Sequence, residues 1–216
     1  MQHSFAPWRW LRPAWLGLSV NTQSMTLVEW RPEHSVPPTS LRWGQETWAV
    51  EAFGADSTDP WADPNRLGLA VQALAHRVGL RCRRLAMGLA AHQVVQQRMQ
   101  LEAGLPLREL RAQVNWHASQ ALGLAWNEVA FDYRLEPQDA VVSHGPAESL
   151  ALHWVACPMA RVHAAQQMSR AAGLHLQFLG LAPEPFCLSP QAQVTAPERP
   201  AQWHLACDMA RQGAQA

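Results

Sequence analysis

The chain has 216 residues, of which 48% are hydrophobic, and this is typical of a globular protein with one large domain or two small ones. Its 17 basic residues, all arginine, balance 17 acidic residues, so no global charge attracts nucleic acid or anionic lipid. No apolar run is long enough to span a membrane, the start of the chain does not fit a signal peptide, and the four separated cysteines favour reduced thiols over a metal site.

The first 14 residues contain two tryptophans, Trp8 and Trp10, and two arginines, Arg9 and Arg12. This mixture predicts a loosely ordered segment ahead of the fold. Such a segment can also lie on a membrane surface or dock on a partner, and this is the alternative interpretation.

A β-hairpin is predicted over residues 15–30. Apolar residues alternate with small ones from residue 16 to 20, the polar run Asn21-Thr22-Gln23-Ser24 forms a turn, and the apolar pattern resumes at Met25. A proline-rich loop follows, and strand residues are predicted at 41–43 and 47–50. Together these segments predict three antiparallel strands.

Residues 54–65 form a turn-rich loop with three aspartates, Asp56, Asp59 and Asp63. The acids suggest a metal site, but aspartate and proline clusters more often break chains and cap helices. Asn65 is the predicted N-cap of an amphipathic helix that runs to about Val78. A strand over residues 83–90 then returns to the interior.

The second half of the chain predicts a further α/β unit. The predicted helices begin at Leu105-Pro106, Met159 and Pro183, and the first two end at glycines. The predicted strands cover residues 93–101, 126–135, 150–157 and 174–181.

Residue patterns that would carry catalysis are weak. His153 and Cys157 share one strand face but are about 13 Å apart, too far for a nucleophile–base pair. The other histidines lack a carboxylate at a diagnostic spacing, and no Walker or dinucleotide motif occurs. A basic cluster follows the first helix, and a solvated junction explains it better than a phosphate track. That cluster comprises Arg77, Arg81, Arg83 and Arg84.

The hairpin resembles the opening of the PilM family of type IV pilus assembly proteins. There, Gly-aliphatic-Asp-aliphatic-Gly precedes a small polar turn and Lys-Leu-Val-Glu follows it, similar to the first phosphate loop of actin-like ATPases. Here Ser19 replaces the metal-associated aspartate, Asn21 the turn glycine and Thr26 the lysine, while Thr22 lies in the turn. Because an ATP site needs a carboxylate for magnesium and close donors to the phosphates, the resemblance implies a lost nucleotide site.

Four more segments resemble the family in order. They are Leu105-Pro106, Glu128-Val129-Ala130-Phe131-Asp132-Tyr133, Trp154-Val155-Ala156-Cys157 with Ala172-Gly173-Leu174, and Glu184-Pro185-Phe186-Cys187-Leu188. After a Pro/Gln-rich linker, residues 202–211 resemble the family's closing helix. The resemblance thus implies that the second actin-like lobe is missing.

The implied fold is α/β with mixed sheets, a ribonuclease H-like or actin-like ATPase lobe with an inserted small α/β subdomain. The implied organisation places a core subdomain at residues 15–90 and an inserted subdomain at 91–173. Residues 174–216 would supply the return strand, the linker and the closing helix.

The resemblance implies a cytoplasmic, non-catalytic scaffold without cofactor or metal. It would bind the tail of a PilN-like protein, and so lie at the inner membrane, in a groove between the two subdomains. Met87, Leu89, Val95 and Met99 are the predicted groove residues, although core packing also accounts for at least half of them. No nucleic acid is expected, and homodimerisation stays open.

Three alternatives remain at this point. The chain could be an actin-like ATPase with an altered phosphate loop, a platform component of type II secretion, or a degenerate remnant without a partner. The first would require an acidic residue near the turn, and the nearest along the sequence is Glu29, at the far end of the second strand.

Overall fold

The computed structural model describes residues 14–30, 42–47, 59–102, 104–136, 149–181 and residue 206. Within them the chain forms eight strands and three α-helices. In order these are β1 (Trp15–Val20), β2 (Ser24–Trp30), β3 (Trp43–Thr47), α1 (Pro64–Val78), β4 (Arg84–Leu89), β5 (Val95–Glu102), α2 (Leu107–Leu122), β6 (Val129–Leu135), β7 (Ser149–Pro158), α3 (Met159–Ala171) and β8 (His175–Leu181).

Five strands form the larger sheet, in the order β3-β2-β1-β4-β8. The first three run antiparallel, and β4 and β8 add to β1 in parallel. Leu16 pairs with Leu85 across the β1–β4 boundary, so both strands start at the same end of the sheet. Three antiparallel strands followed by two parallel ones confirm the predicted ribonuclease H-like arrangement.

Helices α1 and α3 pack together against one face of this sheet. Alternating strand residues such as Leu16 and Leu85 meet helix residues such as Leu67 and Met168 in one buried cluster. Close packing of the two helices depends on Gly68, where a Cβ atom would lie 2.5 Å from the carbonyl oxygen of Met168.

The start of α1 differs from the prediction. Its N-cap is Asp63 and not the predicted Asn65. The carboxylate of Asp63 accepts the backbone N–H of Arg66. Pro64 occupies the first turn, where its missing N–H and fixed φ are tolerated. Asp59 likewise accepts the backbone N–H of Trp61 at the start of a short 3₁₀ helix. The prediction that aspartates of this loop cap helices is confirmed for these two; Asp56 lies outside the described residues.

The opposite face of the larger sheet is covered at Val28. Ala206 is helical and fully buried there, with Trp30 and Trp43 packed around the pair. This agrees with the predicted closing helix at one position; the rest of residues 202–211, like the predicted helix at 183–188, lies outside the described residues.

A second, antiparallel sheet has the order β5-β7-β6 and packs one face against α2. Trp154 and Leu152 of the central strand are buried in this second cluster, together with Leu110 and Val114 of α2. The helix begins after Leu105-Pro106 and ends at Gly123, as predicted. Gly123 has a φ of 64°, which glycine adopts without the strain that a side chain causes.

Three boundaries differ from the predictions. One strand, β3, replaces the two segments predicted around residues 41–50, of which 48–50 lie outside the described residues. The sixth strand starts at Val129, because Trp126–Glu128 forms a 3₁₀ helix. The division into a core and an inserted subdomain stays a prediction. Helix α3 packs in the core of the larger sheet, so its packing favours an end of the inserted subdomain near Pro158 over one at residue 173.

Candidate functional site

The hairpin between β1 and β2 holds the residues that stand at the phosphate-loop positions. Its turn is closed by Asn21, whose side-chain oxygen accepts the backbone N–H groups of Gln23 at 2.8 Å and Ser24 at 2.7 Å. The N–H of Asn21 donates in turn to the carbonyl oxygen of Ser24 at 2.9 Å. The carboxamide therefore occupies two backbone donors of the kind that a phosphate loop directs at its ligand.

The strand residues beside the turn offer little to a charged ligand. Ser19 and Thr26 pair directly across the hairpin and are 9% and 0% exposed. Neither side chain carries a charge, and neither hydroxyl can replace a carboxylate that holds hydrated magnesium. Thr22 lies at the exposed tip of the turn.

The fold brings a different acid to this region from the one suggested by sequence distance. Glu29 lies at the other end of β2. Glu46 of β3, in contrast, pairs with Met25, which with Val20 forms the residue pair of the hairpin closest to the turn. Glu46 is half-buried and forms a 2.6 Å ion pair with Arg77 of α1. Its carboxylate is thus engaged at the side of the sheet that faces α1.

A second polar site lies where the two sheets join, at the start of α3. Arg161 is stacked over the ring of Trp61, 5.6 Å from its centroid, and its guanidinium lies 3.4 Å from a carboxylate oxygen of Asp59. Burial raises the pKa of the Cys157 thiol, and the positive charge of Arg161 partly opposes that effect. Arg161 therefore links the core, through Trp61, to the end of β7.

Beside this junction the inserted subdomain exposes a large apolar side chain. The 3₁₀ helix Trp126–Glu128 lies against α3, and Trp126 is 72% exposed. The side-chain amide of Asn115 donates to the carbonyl oxygen of Trp126 at 3.3 Å, which ties the short helix to α2. An exposed tryptophan is a side chain that suits the capture of a peptide.

The family model of the type IV pilus assembly protein PilM matches residues 36–183. The chain belongs to the PilM family. It is accordingly a pilus-related protein with an actin-like fold, as the hairpin and the motifs after it predicted. None of the curated proteins matches the chain.

Solved structures are similar in fold to this PilM-family chain. A chain of the "PilM-PilN type IV pilus biogenesis complex" has a TM-score of 0.62 and 22% identity, over 80% of this chain and 48% of that one. This chain thus spans about half of that protein's length. The cytoplasmic domain of EpsL, an inner membrane component of the type II secretion system of Vibrio cholerae, has a TM-score of 0.48 and 14% identity, over 78% and 57% of the two chains. A Bacteroides thetaiotaomicron protein with an actin-like ATPase fold has a TM-score of 0.38 and 7% identity, over 79% and 52%.

The four residues predicted for the groove of a PilM-family protein divide into two pairs. Met87 and Leu89 of β4 are 0% and 3% exposed, so neither has surface to offer a partner. Val95 and Met99 of β5 are partly buried against the cluster beneath α2, and their contact with a partner stays a prediction. The sequence analysis did not predict Trp126 or Arg161 as site residues. The pattern that could have indicated Trp126 is its position directly after Gly123-Leu124-Ala125, where α2 ends.

Two kinds of feature are absent from the described part of this PilM-family chain. Its described residues contain no group of three or more His, Cys, Asp or Glu side chains placed to hold a metal ion. Among these residues, no helix combines the length and apolar character needed to cross a membrane.

Proposed function

We propose that this PilM-family chain is a non-catalytic scaffold of type IV pilus biogenesis that binds the cytoplasmic tail of a PilN-like membrane protein. The tail lies in the groove between the five-stranded sheet with its helices and the inserted subdomain. The scaffold is cytoplasmic and reaches the inner membrane through this partner. Membership of the PilM family and the partner named in the PilM-PilN complex support the proposal.

The observation that carries the non-catalytic part is the hydrogen bonding of Asn21. A nucleotide would have to displace the carboxamide from the N–H groups of Gln23 and Ser24 before the turn could hold a phosphate. Ser19 then offers no charge to its metal ion. Both deficits lie in the same hairpin, so a single compensating substitution elsewhere does not restore the site.

The observation that supports the groove is that the short helix carrying the exposed Trp126 lies against α3, the helix whose first turn carries Arg161. Tryptophan and arginine are the side chains most enriched at positions that dominate binding energy. The indole of Trp126 gives apolar contact area. The Arg161 side chain is 24% exposed, and its guanidinium can donate to backbone carbonyls of an extended peptide. A short tail with one large apolar residue fits this chemistry.

Calorimetric titration with two ligands tests the proposal. One ligand is magnesium-ATP and the other is a synthetic peptide of the N-terminal tail of the PilN-like protein from the same genome. Heat from the peptide and none from ATP is the expected result. If the peptide gives no binding heat, the scaffold role is overturned. If the chain hydrolyses ATP above background and Ser19→Ala abolishes this activity, the claim that it is not an enzyme is overturned.

Two apolar truncations locate the peptide on the inserted subdomain. Trp126→Ala is expected to weaken peptide binding by about 30-fold, equivalent to about 2 kcal/mol for a central aromatic contact. Leu107→Ala is the matched control, since Leu107 is 66% exposed but lies at the far end of α2. Equal losses in both variants would place the peptide elsewhere.

A further inference from the structure

One edge of the second sheet is a long, regular strand. In the order β5-β7-β6, strand β5 is hydrogen-bonded on one side to β7. Its residues, Val95–Glu102, pair with β7 one to one and without a shift in register. Among the residues that the structure describes, no strand pairs with the other side of β5. Its outward backbone N–H and C=O groups can therefore bond to a further strand.

Strand β5 lacks the features that usually keep an edge strand from pairing. Natural edges carry proline, lysine, a bulge or an inward-pointing charge, or they are very short. None of these occurs in β5. Its two charged residues, Arg98 and Glu102, point away from α2, because the alternate residues Met99 and Leu101 pack in the cluster beneath that helix. The other edge strand, β6, lies against α3 as well as α2, which leaves less room for a partner.

The face of β5 that points away from α2 carries one cation and one anion. It consists of four exposed residues, Gln96, Arg98, Gln100 and Glu102. Because Arg98 and Glu102 are about 13 Å apart along the strand, they cannot pair within one chain. Arg98 donates to Glu136, but a guanidinium has more donors than this bond uses. Glu102 forms no ion pair with another residue of the described ranges.

The sequence of β5 is complementary to itself in the antiparallel sense. Two copies of one strand that pair antiparallel are related by a two-fold axis, so each contact occurs twice. An axis at Gln100 places Arg98 opposite Glu102 of the second copy. On the other face it places Met99 opposite Leu101 of the second copy. No other axis position brings the two charges together, and an axis at Arg98 would set like charges opposite each other. This complementarity favours a second copy of the chain over an unrelated strand.

We propose that β5 pairs antiparallel with β5 of a second copy of this chain, with the two-fold axis at Gln100. The two three-stranded sheets then form one continuous sheet. Backbone hydrogen bonds supply most of the affinity, and the two pairs of Arg98 with Glu102 fix the register. A strand pair alone buries less than the roughly 1,000 Å² of a stable interface, so the dimer is weak. This self-association goes beyond the proposed function, which requires one copy only.

An edge strand that is merely solvated makes a different prediction. Arg98 would then serve only its bond to Glu136, and Glu102 would contact water alone. Reversing the charge of Glu102 would in that case leave the molecular mass in solution unchanged at every protein concentration.

Analytical ultracentrifugation of the full chain from about 1 μM to about 1 mM measures the association. The unaltered chain is expected to pass from monomer to dimer within this range. Glu102→Arg should weaken dimerisation by about tenfold, because a repulsion replaces an attraction and does so twice across the axis. Arg98→Glu/Glu102→Arg exchanges the charges and should restore most of the affinity. Thermal melting verifies that each variant is folded.

A matched variant makes the same change of charge at the opposite edge of the sheet. Asp132 is exposed on the corresponding face of β6, and Asp132→Arg should dimerise as the unaltered chain does. A loss confined to Asp132→Arg would assign the contact to β6.

Cysteine substitutions test the register directly. Gln100 lies opposite its own copy, with about 5 Å between the Cα atoms, so oxidised Gln100→Cys should form a disulfide-linked dimer. Gln96→Cys is the matched control, since Gln96 is exposed on the same face but about 26 Å from its copy. The native cysteines are present in both variants, and the unaltered chain gives their background on a non-reducing gel.

Four results would overturn the proposal. They are a monomer at every concentration, a loss in Asp132→Arg as large as that in Glu102→Arg, no recovery in the double exchange, and equal cross-linking of the two cysteine variants. The ultracentrifugation contains no peptide and the peptide titration requires no dimer, so either proposal can fail alone.

Discussion

The packing of α1 on α3 makes a sharp prediction at Gly68. A Cβ atom there would lie 2.5 Å from the carbonyl oxygen of Met168 and 2.6 Å from the Cβ of Ala171. Real Cβ contacts are longer than 3.0 Å, and neither obstacle is the end of a flexible side chain. Gly68→Ala therefore forces the two helices apart.

Two opposing terms set the size of the effect. Alanine gains about 1 kcal/mol over glycine in a helix interior, because the unfolded chain loses less entropy. Overpacking costs about 1–3 kcal/mol, and the upper half of that range applies because the contacts involve backbone and Cβ atoms. The net loss is about 1–2 kcal/mol, which lowers the melting temperature by about 2–8 °C in a domain of this size.

Thermal and urea unfolding of the variant measure this loss. Ala73→Gly is the matched control, since Ala73 is exposed on the same helix and its replacement reports the propensity term alone, about 1 kcal/mol. The sign decides the outcome. If the Gly68→Ala protein is more stable than the unaltered chain, α1 and α3 do not pack as described. The described position of α3 beside the junction would then also be wrong.

Three further predictions concern buried or capping groups. Asp63→Ala should lower the free energy of unfolding by about 1 kcal/mol and Asp63→Asn should restore most of it, as judged by urea unfolding; equal losses would mean that the side chain does not cap α1. Trp154→Ala should cost about 3–5 kcal/mol, because the indole is 1% exposed, and a loss below about 1 kcal/mol would contradict its burial. Burial raises the pKa of the Cys157 thiol above its ordinary value of 9.0, so its contribution to stability is complete below pH 9 and is lost as pH rises through the raised pKa. That alkaline loss should be smaller in Cys157→Ala, and an unchanged profile would assign it to other groups.

Local patterns predicted the elements well where several signals agreed. Helix α2 has a proline just before its start and a glycine after its end, and both act through the backbone of that one segment. The hairpin was equally clear, because its alternation and its polar turn require no distant contact. Such signals are local, and so they can be read from the sequence.

Competing local signals explain the wrong N-cap of α1. Asp63 and Asn65 both have cap-forming side chains, and Pro64 lies between them. Proline fits the first helical position and offers no N–H for an interior one, so it selects the residue before it as the cap. The apolar periodicity taken alone favours Asn65, because it begins later, at Leu67.

Long-range packing explains the groove residues. Met87 and Leu89 are apolar on a strand, and a strand pattern does not distinguish a core face from a groove wall. In the structure this face of β4 is a core face, because α1 and α3 cover it. The same holds for Arg161, whose partners Trp61 and Asp59 are about 100 positions earlier in the chain.

The frame of the hairpin and its chemistry are encoded by different residues. Apolar positions such as Leu18 and Leu27 pair across β1 and β2 and fix the register, and they are buried whatever the turn does. The phosphate chemistry would depend on the turn donors and on one carboxylate, and here Asn21 and Ser19 occupy those positions. The family model matches residues 36–183, so the match does not include the hairpin. Membership of the PilM family therefore predicts the fold securely, whereas the nucleotide question rests on the few residues of the turn.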